Sequence, residues 1–291
     1  MLVAWKYRER KSLIQSFDPR AWLIFYGSFL VGSVIFWDLR ILAGFLIVAL
    51  FVVFTSGIKW LEMRRAWLFI GTFVLFFSFL TFLTGRGGSE FYDVEHIIRT
   101  IEAPFTIFGW RPTLTISVET SMFAISQMFR VFSLASMTIL IPYSLNPAFY
   151  GVTFRGLGLP DKIAYAMDLT MRFIPTFGRD FQYTMDAQRA RGFEIEKIRM
   201  GLFAQVRRLA PLIVPVTIHA IMGSEDIIDA MDLRAFGIGP RTWYQQLRYR
   251  RRDYVLTVIA ALLFTGSIGL SLLGVGKFWV PESLVNLVEG L

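Results

Sequence analysis

The 291-residue chain contains no cysteine. Disulfides and thiolate metal centres are excluded, while the redox compartment stays open. Histidine is nearly as scarce. His96 and His219 are far apart, and neither has a second metal ligand at helical spacing, so no dedicated metal site is expected. His219 falls in an apolar stretch and is expected to be a packed, hydrogen-bonded side chain. Ser133 and Ser136 have no histidine partner for nucleophilic catalysis. Gly85-Arg86-Gly87-Gly88 is not followed by the Gly-Lys-Ser/Thr that opens a helix in a phosphate loop, so it reads as a turn. Charged residues make up only 18% of the chain. Met1–Arg20 is basic and lacks an apolar core or small-residue cleavage site, so it is not read as a signal peptide.

What fills the chain instead is apolar: 55% hydrophobic residues and 16% aromatics, with a mean hydropathy of +0.53. These residues gather in blocks, which places the chain among membrane proteins. The net charge of +8 comes without zinc-ligand spacing or an aromatic-basic RNA signature, so no nucleic-acid partner is expected. The cations flank the apolar blocks, where they set orientation in a bilayer.

Asp18-Pro19-Arg20 predicts a helix start: Asp18 caps, Pro19 takes the first position, and Arg20 snorkels to headgroups. Apolar segments follow at Ala21–Trp37, Ile41–Ile58 and Ala66–Thr84, with Asp38-Leu39-Arg40 as a tight turn. Residues 85–113 read as a loop with a short surface helix around Asp93–Glu102. A fourth segment, Leu114–Ile141, carries Glu119, Gln127 and Arg130, which should face protein and not lipid. The last span is Tyr254–Val275.

Residues 142–253 have a different character. Charges and prolines recur. From Asp161 to Gly192, Phe173, Phe177, Phe181 and Met185 recur every fourth residue, the mark of an amphipathic helix with Pro175 as a kink. A second helical stretch covers Leu202–Phe236, and Gly237 is its expected stop. The acids Glu225, Asp226, Asp229 and Asp232 suggest salt bridges between these two helices. The ends of the helices echo one another. Asp186, Ala187, Arg191 and Phe193 align without a gap on Asp229, Ala230, Arg234 and Phe236. A terminal arginine is favoured by the helix dipole, but a bare helix end does not need the same flanking residues twice. The small residues Ala190 and Gly192 permit close approach, each arginine offers a fork of donors, and Phe193 or Phe236 can anchor in a partner's pocket. These are two docking tips.

The reading is therefore an all-α polytopic membrane protein with about five transmembrane helices and long amphipathic cytoplasmic coupling helices. Its parts are a basic segment with four spans (1–141), a coupling region (142–253), and a last span with its tail (254–291). The Lys/Arg bias puts the N-terminus and the coupling region in the cytoplasm, in a multi-pass protein of the cell membrane.

Asp18-Pro19-Arg20, Gly158-Leu159-Pro160, Arg172-Phe173-Ile174-Pro175 and Ala187-Gln188-Arg189-Ala190-Arg191-Gly192, in that order, resemble the transmembrane T component of energy-coupling factor (ECF) transporters. The family's second Ala-Arg-Gly motif maps onto Leu233-Arg234-Ala235, which keeps the arginine alone. The resemblance implies a non-catalytic subunit with no cofactor of its own, ATP being bound by partners. Two cytoplasmic ATP-binding-cassette ATPases dock on Ala190-Arg191-Gly192 and on Leu233-Arg234-Ala235. Phe193, Phe236, Gly237, Asp186 and Asp229 support the docks, and Pro175 lets the helix move. A substrate-binding S component packs in the lipid bilayer, and the cargo is vitamins or transition-metal ions. The alternatives are a self-contained secondary transporter with Glu119, Gln127 and Arg130 at the midplane, a lipid-acting membrane enzyme, and a permease subunit of a conventional ATP-binding-cassette importer.

Overall fold

A computed structural model describes residues 7–10, 12–84, 96–102, 113–193, 202–239 and 242–282. The described chain is helical apart from one two-stranded hairpin. The elements are α1 (Pro19–Ile35), α2 (Leu39–Thr55), α3 (Trp60–Thr84), β1 (Ile97–Glu102), β2 (Thr113–Ser117), α4 (Val118–Ser144), α5 (Tyr150–Gly156), α6 (Asp161–Ala190), α7 (Leu202–Leu233) and α8 (Arg251–Leu272). They form two compact units. Residues 7–145 with those from 248 onward make one, and residues 146–247 the core of the other.

In the first unit α1 packs on α8, and α4 packs on both α2 and α3. Helices α3, α4 and α8 are long and apolar enough to cross a membrane, and α1 and α2 are shorter apolar helices. At 1.5 Å per residue the 17 residues of α1 span about 26 Å, slightly less than a hydrocarbon core of about 30 Å. The interior is built from Trp22, Phe25 and Phe29 on α1, Leu42 on α2 and Met137 and Leu140 on α4. Phe29 meets Phe45 edge-on at 5.0 Å. The outside is as apolar as the inside: Phe54 is 87% exposed, and Phe51, Phe69 and Leu61 also face outward. A soluble protein does not cover itself with such residues; lipid tails are the solvent that fits them. The polar side chains turn inward, as expected. Arg130 is buried, donates to the Phe36 carbonyl at 2.6 Å and to Gln127 Oε1 at 3.1 Å, and lies over the Trp37 ring. Glu119 is buried and pairs with His96 Nδ1 at 2.7 Å.

Asp18 caps α1 and Pro19 takes its first turn. Arg20, however, does not reach outward. Its guanidinium donates to both Asp18 oxygens, at 3.1 and 3.0 Å, and lies over Tyr249. A carboxylate two residues away is a nearer partner than a headgroup. The same corner joins parts of the chain more than 230 residues apart. Buried Asp253, in the first turn of α8, accepts the Asp18 amide at 2.9 Å and the Arg250 amide at 2.7 Å. Beside it, Arg252 donates to the Ser16 carbonyl.

Two local expectations change. Asp38-Leu39-Arg40 is a helix start, not a turn, because Asp38 Oδ1 accepts the Arg40 amide at 2.9 Å and opens α2. The surface helix expected around Asp93–Glu102 is absent over residues 97–102, which form β1 and pair antiparallel with β2. Ile97, Ile98, Thr100 and Ile101 are β-branched, and that favours a pleated ladder over a helix. The rest of the expected loop, 85–95 and 103–112, lies outside the described residues.

In the second unit α5 packs on α6, and α6 on α7. Helix α6 runs unbroken through Pro175, and α7 through Pro211 and Pro215. Leu209–Leu233 is itself long and apolar enough to cross a membrane, although the sequence reading placed it among the coupling helices. Its apolar side chains are mostly bare: Ile213, Val214, Ile218, Ile221 and Met222 are exposed, and Leu212 is buried. His219 is exposed as well, contrary to expectation. A histidine packs only where a second surface covers it, and this stretch of α7 has little cover from its own chain.

Candidate functional site

The echo in sequence is an echo in geometry. At the end of α6 the Phe193 amide donates to the Gln188 carbonyl at 3.0 Å, and the Gly192 amide to the Arg189 carbonyl at 2.9 Å. At the end of α7 the Phe236 amide donates to the Met231 carbonyl at 3.0 Å, and the Ala235 amide to the Asp232 carbonyl at 2.9 Å. Both are Schellman closures, in which a left-handed residue turns the chain back over the last turn. Arg191 and Arg234 hold the same position in them, as the final residue before the left-handed one. Gly192 adopts φ +84° without strain, whereas Ala235 adopts φ +53°, the one positive value at a non-glycine among the described residues. The stop expected at Gly237 thus comes two residues earlier.

This geometry accounts for part of the repeat on helix-ending grounds alone. A residue at φ > 0 belongs before the phenylalanine, and an apolar residue belongs after it. It does not account for the arginines. Both are exposed, and among the described residues neither guanidinium has a hydrogen-bond or ion-pair partner. The left-handed alanine supplies a direct check. A left-handed L-residue costs about 1–2 kcal/mol. Ala235→Gly is expected to raise stability by about 1 kcal/mol and Gly192→Ala to lower it by a similar amount, read by thermal unfolding in detergent. A destabilising Ala235→Gly would refute the turn geometry.

The remaining residues are placed as follows. Ala190 and Leu233 are the last helical residues of α6 and α7, and both are exposed; Leu233 is 90% exposed. Asp186 is exposed and pairs with Arg189 at 3.5 Å. Pro175 is half-buried inside α6. Glu225, Asp226, Asp229 and Asp232 are exposed, and the interhelical salt bridges expected of them are missing among the described residues. They lie on the solvent side of α7, away from the residues that meet α6, and among the described residues no cation pairs with them. Gly237 follows at φ +91°.

Phe193 is half-buried, and Phe236 does not project freely. The ring of Phe236 packs on Tyr165 of α6 with centroids 4.6 Å apart, and the Tyr165 hydroxyl reaches Met231 Sδ at 3.8 Å. The end of α7 therefore lies against the beginning of α6. The two arginines are consequently far apart. From Tyr165 to Arg191 the helix rises roughly 39 Å.

Beside the ring pair is a groove of about 500 Å³, lined from α6 by Tyr165, Leu169, Arg172, Phe173 and Thr176, from α7 by Ile227, Ala230 and Met231, and from the turn after α7 by Arg234 and Phe236. On the other side of Tyr165 and Phe236 a second hollow of about 430 Å³ contains Asp161, Asp168 and Trp243. Burial pushes the Asp168 carboxyl above its ordinary range, against the pull of Arg172. The groove was missed in sequence although its signal is present. Residues 165, 169, 172, 173 and 176 share one helical face, next to the more conspicuous phenylalanine stripe at 173, 177 and 181.

Comparison with known proteins supplies the context. The family described as CbiQ, cobalt transport protein, matches residues 10–244. The chain is 26% identical to the energy-coupling factor transporter transmembrane protein EcfT of Lacticaseibacillus paracasei, over 87% of this chain and 92% of that protein. It is 28% identical to EcfT of Thermosediminibacter oceani, over 90% and 95%. It is 26% identical to EcfT 1 of Listeria monocytogenes, over 91% and 96%.

Proposed function

The chain belongs to the CbiQ family of cobalt transport proteins, and from that premise we propose that it is the scaffold and energy-transmitting T component of an ECF importer for vitamins or transition-metal ions. Two cytoplasmic ATP-binding-cassette ATPases bind it, one through Ala190-Arg191-Gly192 and one through Leu233-Arg234-Ala235. ATP is bound and hydrolysed on those partners. The chain itself carries no cofactor and catalyses nothing. A membrane-embedded S component holds the cargo and packs on the T component within the bilayer. The N-terminus and the coupling helices face the cytoplasm.

The observation that carries this reading is the pair of exposed guanidiniums at the same position of two like-built helix ends. A helix stop uses the glycine and the phenylalanine, and leaves the arginine for something outside the chain. The distance between the ends suits two separate subunits better than two arms on one. A self-contained secondary transporter finds less support. Arg130 and Gln127 are bound to one another, Arg130 also holds a carbonyl of this chain, and Glu119 pairs with His96, so these groups are occupied structurally.

Co-expression with the ATPases encoded beside the gene, followed by purification in detergent, tests the reading. Two ATPase chains are expected per copy of this chain, with ATP-driven cargo uptake after reconstitution together with an S component. Ion-gradient-driven uptake by the purified chain alone would refute it.

A further inference from the structure

We propose that the groove between α6 and α7 is a socket for a carboxylate-bearing segment of one ATPase, and that Arg172 shares with Arg234 the task of holding that carboxylate. The inference rests on the ATPase-docking reading given above and changes the nature of the second dock. The first end offers an arginine on a projecting tip. The second offers an arginine on the wall of a cavity formed with another helix.

Three observations carry it. First, Arg172 and Arg234 line one groove of about 500 Å³, together with Thr176 and seven apolar or aromatic residues, and no lining residue is acidic. Second, among the described residues neither guanidinium makes a hydrogen bond or ion pair. Asp168, one turn before Arg172, is felt electrostatically but lines the neighbouring hollow and does not close on it. Two unpaired guanidiniums over an apolar floor place a positive field where water is partly excluded, and a carboxylate is the protein group that neutralises it with directed hydrogen bonds. Third, the packing of Phe236 on Tyr165 walls the groove at its end, so the phenylalanine shapes the socket and is not itself inserted into a partner. The occupant that fits carries one acidic side chain flanked by apolar residues, the composition of an amphipathic helix face. An ATPase is favoured over an anionic lipid because Arg234 is part of the repeated helix end, so the groove continues the proposed dock.

The test uses the full chain co-purified with its ATPase pair, comparing wild type, Arg172→Glu, Arg172→Lys and Arg234→Glu. Arg172→Glu is expected to lower affinity for one ATPase at least tenfold, leaving one ATPase per chain, while Arg172→Lys keeps most of the binding. Reversal of one acidic ATPase residue to lysine should restore assembly with Arg172→Glu and identify the carboxylate. Because Arg172 is exposed, an unchanged helical circular dichroism signal is expected for the variant. If Arg234→Glu loses an ATPase and Arg172→Glu does not, the socket is refuted and the dock stands. If both variants assemble normally, the docking reading fails as well. If Arg172→Glu leaves ATPase affinity intact but abolishes co-purification of phosphatidylglycerol with the detergent-solubilised chain, the groove is a lipid site and the proposal is overturned.

Discussion

Arg191→Glu together with Arg234→Glu is expected to strip both ATPases from the complex and abolish ATP-driven uptake, while each single reversal removes one ATPase. Truncating one partner of a desolvated charge pair at an interface costs about 2–5 kcal/mol. A reversal adds repulsion, so a loss of at least a hundredfold in affinity is expected at each end. The two losses should be independent. Sites further apart than about 10 Å without shared partners usually add, and α6 separates these by several times that distance. Folding should be untouched, because the helix closures use backbone groups and both arginine side chains are exposed, with no hydrogen bond or ion pair among the described residues. Native mass spectrometry of the detergent-purified complexes reads the stoichiometry directly. Full assembly of the double variant would remove the docking assignment; loss of both ATPases on a single reversal would show that the ends are coupled and not separate.

The largest effect on stability is expected at Asp253. Its two oxygens accept the amides of Asp18 and Arg250 at 2.9 and 2.7 Å, and the side chain is sealed from solvent. Asp253→Ala would leave two amides without an acceptor at the junction of α1 and α8. Each orphaned buried group costs about 1–3 kcal/mol, so for two amides a loss of about 2–6 kcal/mol follows. Asp253→Asn retains one acceptor oxygen and should lose roughly half as much. The exposed neighbour Arg251 provides the control, with Arg251→Ala expected within about 0.5 kcal/mol of wild type. Unfolding monitored by tryptophan fluorescence in detergent separates these outcomes. A wild-type midpoint for Asp253→Ala would mean that other contacts hold α1 to α8.

How far these residues were legible in sequence depends on the range of the interaction. The two long helices were readable almost to the residue: Asp161–Gly192 was expected and Asp161–Ala190 found, Leu202–Phe236 expected and Leu202–Leu233 found. Their periodicity and their stops are local properties. The Asp18 cap was readable for the same reason. The left-handed turn at Ala235 was not, because alanine gives no sign of it; only the alignment with Gly192 points there. Nor was the partnership of Asp18 and Asp253, since no pattern in one chain announces a contact between its two ends. Phe236 was assigned to a partner because an aromatic at a helix end looks free until the neighbouring helix is placed. Strand β1 was read as part of a surface helix because charged residues around its isoleucines imitate an amphipathic pattern over a short window, and β2 was read as the start of the fourth apolar segment.

The junction held by Asp253 also bears on how the protein is made. Helix α1 is synthesised before α2 through α7, and α8, the helix it packs against, after them. Through most of translation the Asp18 amide has no Asp253 to receive it, and the buried face of α1 has no α8 to cover it. Helices α2 through α7 are made in the meantime. The α1–α8 contact therefore forms only after all the intervening helices have been made, across a loop of more than 200 residues. A chain halted before residue 251 would hold α1 through α4 with an open seam in the membrane, a form that insertion chaperones and membrane proteases are placed to recognise.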